Sequence, residues 1–167
     1  MKKVSSIRHA SQAGLVTLEQ TDRRILHELQ LNGRLTNVEL AQRVNLSPSA
    51  CWKRTHQLFE AGVIRGIRAI VEPAVVQQGT IVLVGVVLDR STKKSFAAFE
   101  HAIRDLPQVL ECFLVAGEVD YFLKIRIEDL PAFNRFHGNR IIALPGVRQV
   151  RTFFVLSEIK TDGLLSI

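Results

Sequence analysis

The chain is poor in the residues that make redox, metal or covalent chemistry. It has two cysteines in 167 residues, Cys51 and Cys112, far apart and in no Cys-x-x-Cys pair. That spacing excludes a zinc ribbon and a dithiol redox motif and leaves two thiols expected in the core. His27, His56, His101 and His137 are scattered, no two at metal spacing, so neither a metal nor a cofactor is expected. No Ser/His/Asp grouping, paired-acid motif or phosphate loop stands out, and Gly62-Val63-Ile64-Arg65-Gly66 lacks the glycine density of a nucleotide fingerprint. An enzyme is therefore not expected. No apolar run reaches the roughly 20 residues a spanning helix needs. The basic start Met1-Lys2-Lys3 leads into no apolar segment, so no secretory signal is expected. A soluble cytoplasmic protein without membrane partners is the default expectation.

What is present is globular and unevenly charged. Hydrophobic residues make up 47% and charged ones 23%, too apolar for disorder. Residues 1–72 hold 11 Lys and Arg against 6 Asp and Glu, while residues 73–167 hold 11 against 10. The basic excess of the first part suits a phosphate backbone, although a merely solvated face has the same charge.

That basic part contains Leu35 to Arg54, which reads as two short helices and a tight turn. Thr36 and Glu39 have capping-box spacing, so a helix should begin at Asn37. Val38, Leu40, Ala41 and Val44 supply its apolar face, and Asn45-Leu46 makes the turn. Ser47 caps the next helix, with Pro48 in its first position. The unit is a helix-turn-helix, whose second helix commonly enters the DNA major groove. A preceding helix should start near Thr21 or Asp22, bury Ile25, Leu26 and Leu29, and end at Asn32-Gly33. The second helix of the motif should run from Pro48 to about Ala61, with Gly62 as its stop. Residues 63–71 look extended, and Pro73 breaks them.

The remainder alternates strands and helices. Thr80 to Leu88 is a β-branched strand buried on both faces or nearly so. Ser91 caps a helix carrying Phe96, Phe99, Ile103 and Leu106. Val109–Val115 and Tyr121–Ile127 are strands about a Gly117–Asp120 turn. Asp129 opens a helix through Phe133, Phe136 and Ile141, and Val147–Ile159 is the last strand. The order β-α-β-β-α-β is ferredoxin-like. One sheet face is left without helices and should be rich in Val, Ile and Leu, so a homodimer is expected to cover it. The fold class is thus α+β: an N-terminal winged-type helix-turn-helix domain and a C-terminal ferredoxin-like βαββαβ domain. The division is a 1–17 arm, 18–64 helix-turn-helix, 65–78 linker and 79–167 βαββαβ.

This layout resembles the Lrp/AsnC, or feast/famine, family of transcription regulators. Asp22 to Gln30 is similar to the family's first helix. Leu46-Ser47-Pro48-Ser49-Ala50-Cys51 looks like its Leu-Ser-Pro-x-x-Cys entry to the recognition helix. Gly62 to Gly66 resembles its Gly-x-Ile-x-Gly exit, Gly117 to Tyr121 its Gly-x-x-Asp-Tyr signature, and Leu144 to Val147 with Arg151-Thr152 its closing turn and strand. The resemblance implies a regulator of double-stranded DNA that responds to an amino acid and assembles as a dimer, tetramer or octamer. Thr55 and Trp52 depart from the pattern, which favours an apolar residue at the first position and a smaller one at the second. An architectural DNA binder without an effector is the alternative reading.

Candidate residues follow. Cys51, Thr55 and Leu58 recur at core spacing. Ser47, Ser49, Ala50, Lys53, Arg54, Gln57 and Arg65 are the candidate DNA contacts, Arg for guanine edges and Lys or Ser for phosphates. Arg65 and Arg68 equally suit a solubilised linker, and Trp52 beside a core cysteine reads more readily as packing than as a stacking platform. The resemblance places the effector at Leu114, Gly117, Glu118, Val119, Asp120, Tyr121, Ile142, Thr152, Phe153 and Phe154. Backbone of the glycine turn would hold a carboxylate and Asp120 an ammonium. The alternative is a hairpin whose aspartate only completes the turn.

Overall fold

The structure, a computed structural model, describes residues 17–167. The expected amino-terminal arm, apart from Thr17, lies outside the described residues. Two compact units divide the chain, one holding the described residues up to Ile70 together with Asp162–Ile167, the other Val71–Thr161.

The first unit has three helices, α1 (Gln20–Leu31), α2 (Asn37–Arg43) and α3 (Pro48–Glu60). Its core is Ile25, Leu26, Leu40, Ala41, Val44, Cys51 and Leu58. The capping box at α2 forms as read: the Glu39 N–H donates to Thr36 Oγ1 at 3.2 Å and the Thr36 N–H donates to Glu39 Oε2 at 2.7 Å. Asn45 takes φ +55°, which asparagine tolerates better than most residues. The Ala50 N–H donates to Ser47 Oγ at 3.3 Å, and Gly62 leaves α3 at φ +70°. Asn37 Nδ2 also donates to the Pro48 carbonyl at 2.8 Å, tying the start of α2 to that of α3.

Several boundaries and burials differ from expectation. α1 begins at Gln20, one or two residues earlier, capped by Glu19, whose N–H donates to Asp22 at 3.0 Å. Val38 is 53% exposed, because it lies about 200° around the helix from Leu40 and so opposite the core. Residues 63–71 contain no strand. Residues 162–167, expected with the second domain, return to the first unit, where Gln30 clamps Leu165. Gln30 Nε2 donates to the Leu165 carbonyl at 3.2 Å, and the Leu165 N–H donates to Gln30 Oε1 at 2.7 Å.

The second unit opens with a 3₁₀ turn, Pro73–Val76, and continues β1 (Thr80–Leu88), α4 (Lys93–Ile103), β2 (Val109–Leu114), β3 (Tyr121–Ile127), α5 (Leu130–Phe136), a π-helical turn His137–Ile141, and β4 (Val147–Phe154). The strands form one antiparallel sheet in the order β2-β3-β1-β4, the ferredoxin-like arrangement. Val82, Val84, Val86 and Leu88 of β1 and Tyr121, Leu123, Ile125 and Ile127 of β3 face the helices and pack with Phe99, Ile103, Phe133 and Phe136. Thr92, not Ser91, caps α4, accepting from the Ser95 N–H at 3.1 Å. β4 ends at Phe154, five residues short of the expected Ile159.

The bare face is more mixed than expected. Leu83, Val87, Phe113, Phe122 and Phe153 share it with the ion pairs Lys124–Glu111 at 3.0 Å and Arg126–Glu158 at 2.9 Å. Cys112 is exposed rather than in the core, because β2 is an edge strand with no neighbour on its outer side. It still faces the helix side of the sheet, where burial of the sulfur followed by the Glu100 charge raises its thiol to about 11.

Candidate functional site

Two regions carry the predicted functional residues, one in each unit.

In the first, α3 presents Ser49, Lys53, His56 and Gln57 to solvent, opposite buried Cys51 and Leu58. Ala50 is half-buried, and Arg65 is exposed beyond the helix. Ser47 is also exposed, but its hydroxyl is occupied by the cap and by Ser49 Oγ at 3.2 Å. Lys53 and Arg65 have no ion-pair partner among the described residues. Arg54, expected on the DNA side, lies on the α1 side instead. Its Nε donates to Asp22 Oδ1 at 2.9 Å, and it pairs with Glu19 as well. The helical period explains this, since residue 54 sits only 60° from the Cys51 line. Burial raises the Asp22 carboxyl, but the Arg54 hydrogen bond, the Glu19 N–H and the Arg54 charge together hold it below its ordinary value. Trp52 is 59% exposed, against the packing expected of it.

In the second unit, the turn between β2 and β3 folds over the bare face. The Val115 N–H donates to the Asp120 carbonyl and the Asp120 N–H to the Val86 carbonyl, both at 2.9 Å. Gly117 takes φ +154°, with open space where a Cβ would stand. Val119 is buried against β1, where Gly85 makes room for it: a Cβ at Gly85 would meet Val119 Cγ1 at 3.0 Å. Under the turn lies an open cavity of about 260 Å³ lined by Val115, Ala116, Gly117, Glu118, Val119, Phe122, Arg151 and Phe153. Glu118 and Arg151 form an ion pair at its edge. The cavity thus offers one carboxylate, one guanidinium and two phenyl rings.

The sequence-predicted effector residues are only partly brought together. Gly117, Glu118, Val119 and Phe153 line the cavity. Asp120 stands beside it with one oxygen committed, its Oδ2 accepting from the Leu88 N–H at 2.7 Å. Tyr121, Thr152 and Phe154 point to the helix side of the sheet, and Leu114 shares that side on the edge strand. The Tyr121 hydroxyl donates to Glu100 Oε1 at 3.0 Å, and Phe154 packs edge-on to Phe133 at 5.3 Å. Ile142 is exposed after the π-helical turn and is not among the lining residues. Phe122 and Arg151 were missed. Both stand opposite Gly85 in the sheet register, a pairing that the alternation of β3 and β4 could have shown once the strand order was known.

Among the described residues no helix is long and apolar enough to cross a membrane, and no three His, Cys, Asp or Glu side chains cluster as a metal site would require. A helix-turn-helix unit joined to a ferredoxin-like unit defines a DNA-binding regulator with a ligand-binding domain. Comparison with known proteins agrees. The family model for a winged helix-turn-helix DNA-binding domain matches residues 18–65, and that for the Lrp/AsnC ligand binding domain matches residues 81–165. The leucine-responsive regulatory protein of Escherichia coli K12 is 39% identical over 150 residues, 90% of this chain and 92% of that protein. A transcriptional regulator from Neisseria meningitidis, solved as an L-Met complex, is 42% identical with a TM-score of 0.82, covering 87% of this chain and 94% of that one. An AsnC family regulator from Agrobacterium tumefaciens is 30% identical with a TM-score of 0.84, covering 89% and 97%. The chain belongs to the Lrp/AsnC family of transcriptional regulators, and is not an enzyme.

Proposed function

We propose that this regulator changes its DNA binding or its assembly when an amino acid occupies the cavity under the β2–β3 turn, at the junction with a second copy of the chain. The observation that carries this is the pairing of Glu118 with Arg151 beside Phe122 and Phe153. A free amino acid has an ammonium, a carboxylate and a side chain, and these groups match all three. The exchange is plausible energetically because the resident ion pair is exposed at both ends and holds little stability of its own. Asp120 has a second oxygen available for the ammonium, and the open space at Gly117 admits close approach of a ligand to backbone. The solved L-Met complex of the Neisseria relative supports an amino acid of apolar side chain.

A second copy is proposed because the unit leaves Leu110, Phe113, Leu114, Phe153 and Phe154 exposed on and beside its sheet edges. Such a surface is normally covered. Light scattering at micromolar concentration should give at least twice 18.8 kDa. On the DNA side, Ser47, Ser49, Ala50, Lys53, Gln57 and Arg65 are proposed to meet the duplex, with Lys53 and Arg65 on phosphates. Each phosphate contact removed should lower the salt slope of binding by about one unit.

The deciding experiment is a thermal-shift screen against the twenty amino acids, followed by anisotropy with labelled duplex at one fixed salt concentration. A true ligand at a hundredfold excess over Kd stabilises the fold by about 2.7 kcal/mol. It must also change DNA affinity or stoichiometry, since it acts only through differential affinity for two states. If no amino acid stabilises the protein, the effector reading fails and an architectural DNA binder is the better one.

A further inference from the structure

Trp52 is the largest side chain on α3, and the three-helix core is complete without it. The buried positions of α3 are Cys51 and Leu58. Trp52 is neither among them nor among the half-buried residues that pack on that core. Its indole rests against the His56 ring one turn further on, centroids 5.0 Å apart and planes inclined by 55°. His56 in turn lies 3.7 Å from Glu60. The ring is therefore backed on one side and open on the other. Around it stand Ser49 and Lys53, both exposed and both carrying hydrogen-bond donors. Trp52 is thus an apolar plate set into a polar, cationic face, in the half of α3 nearest its N-terminus. In helix-turn-helix proteins that half supplies the base-edge contacts. An indole has a single N–H donor, too little to read a guanine or adenine edge bidentately. The base feature that matches an apolar plate is the thymine C5-methyl, which projects into the major groove.

We propose that Trp52 determines sequence specificity by packing its indole on a thymine methyl in the major groove, with His56 as its backing. This rests on α3 being the helix that enters the groove. The phosphate contacts of Lys53 and Arg65 would supply affinity for any duplex, and Trp52 would supply discrimination.

The chain has one tryptophan, so intrinsic fluorescence reports this ring alone. The test uses the full-length protein, a duplex selected from a random library by the parent, and an unrelated duplex of equal length. Binding is followed by anisotropy of labelled DNA, and indole accessibility by acrylamide quenching. With the selected duplex at saturation, quenching should fall several-fold, and with the unrelated duplex it should change little. Trp52→Ala should keep its affinity for the unrelated duplex within about twofold and lose about tenfold of its preference for the selected one. Deoxyuridine in place of the contacted thymidine removes only the methyl. It should weaken the parent several-fold and leave Trp52→Ala unaffected. Circular dichroism checks that the variant is folded. Full acrylamide access in a saturated complex, or unchanged preference in Trp52→Ala, overturns the assignment while DNA binding itself stands. Shielding that appears with rising protein concentration and no DNA assigns the ring to a contact between copies and also overturns it. If no duplex binds, the premise about α3 and the assignment fall together.

Discussion

Replacing Arg54 with alanine should destabilise the helical unit before it affects DNA. The guanidinium donates to Asp22 Oδ1 at 2.9 Å and reaches Oδ2 at 3.5 Å; the Asp22 side chain is 13% exposed and that of Arg54 30%. Truncation leaves a sheltered carboxylate with only the Glu19 N–H. A hydrogen bond to a charged group is worth about 1.5–3 kcal/mol. Partial exposure of the pair reduces this to about 1–2 kcal/mol. For a unit this small, 1 kcal/mol moves the midpoint by about 4–8 °C, so the first calorimetric transition should fall by roughly 5–15 °C. Asp22→Asn should cost a similar amount, and the double variant less than the sum of the two. The pH dependence has a definite sign. Asp22 is held below its ordinary value of 3.8 in the fold, so its contribution is present above about pH 4 and is lost as pH falls through the folded value. Without Arg54 burial prevails and raises the carboxyl, so the gap between parent and variant should close in acid. An Arg54→Ala protein that melts like the parent but no longer binds DNA would refute this reasoning and return Arg54 to the DNA face.

Three further outcomes are expected. Thr55 Oγ1 is buried without a hydrogen-bond partner, so Thr55→Val should raise stability by up to about 1 kcal/mol in urea unfolding; a loss of stability would mean that the hydroxyl is satisfied. Asp120→Ala strands the Leu88 N–H and should cost about 1–2 kcal/mol, whereas Asp120→Asn keeps an acceptor there and should stay near parental stability. If Asp120→Asn nevertheless loses the amino-acid response in the anisotropy assay, the carboxylate acts on ligand and not only on the turn. Tyr121 is the chain's one tyrosine; its burial, then its bond to and the charge of Glu100, push the phenol well above the usual range. Absorbance at 295 nm should therefore show no phenolate near pH 10 in the folded protein, and stability should fall as pH rises past about 10. An ordinary titration curve in folded protein would contradict the buried hydroxyl.

Local signals were legible in the sequence, and partners distant in the chain were not. Thr36 with Glu39, and Ser47 with Pro48, act within one helical turn, so the helix-turn-helix could be read directly. The β-branched run of β1 and the order of elements likewise gave the ferredoxin-like unit. The helical period sets Arg54 close to the Cys51 line, but its partners Asp22 and Glu19 could not be read, because they lie 32 and 35 residues away. Cys112 was misjudged because an apolar strand reads the same at an edge as in the centre. Ser91 was read as the cap of α4, whereas Thr92, one residue further on, takes that position, and a hydroxyl at either residue looks the same in the sequence. At the candidate effector site, the turn itself was readable from Gly117 to Asp120. Phe122 and Arg151 required the register that sets both against Gly85, and alternation alone does not fix which strands are neighbours.

The Gln30 clamp on Leu165 has a practical consequence for anyone labelling this protein. Residues 162–167 belong with the helices that bind DNA, although in sequence they follow the ligand-binding strands. A dye or affinity tag carried there would ride beside α1. It would report on, or obstruct, the DNA-binding unit, and a probe meant for the candidate effector cavity belongs elsewhere on the second unit.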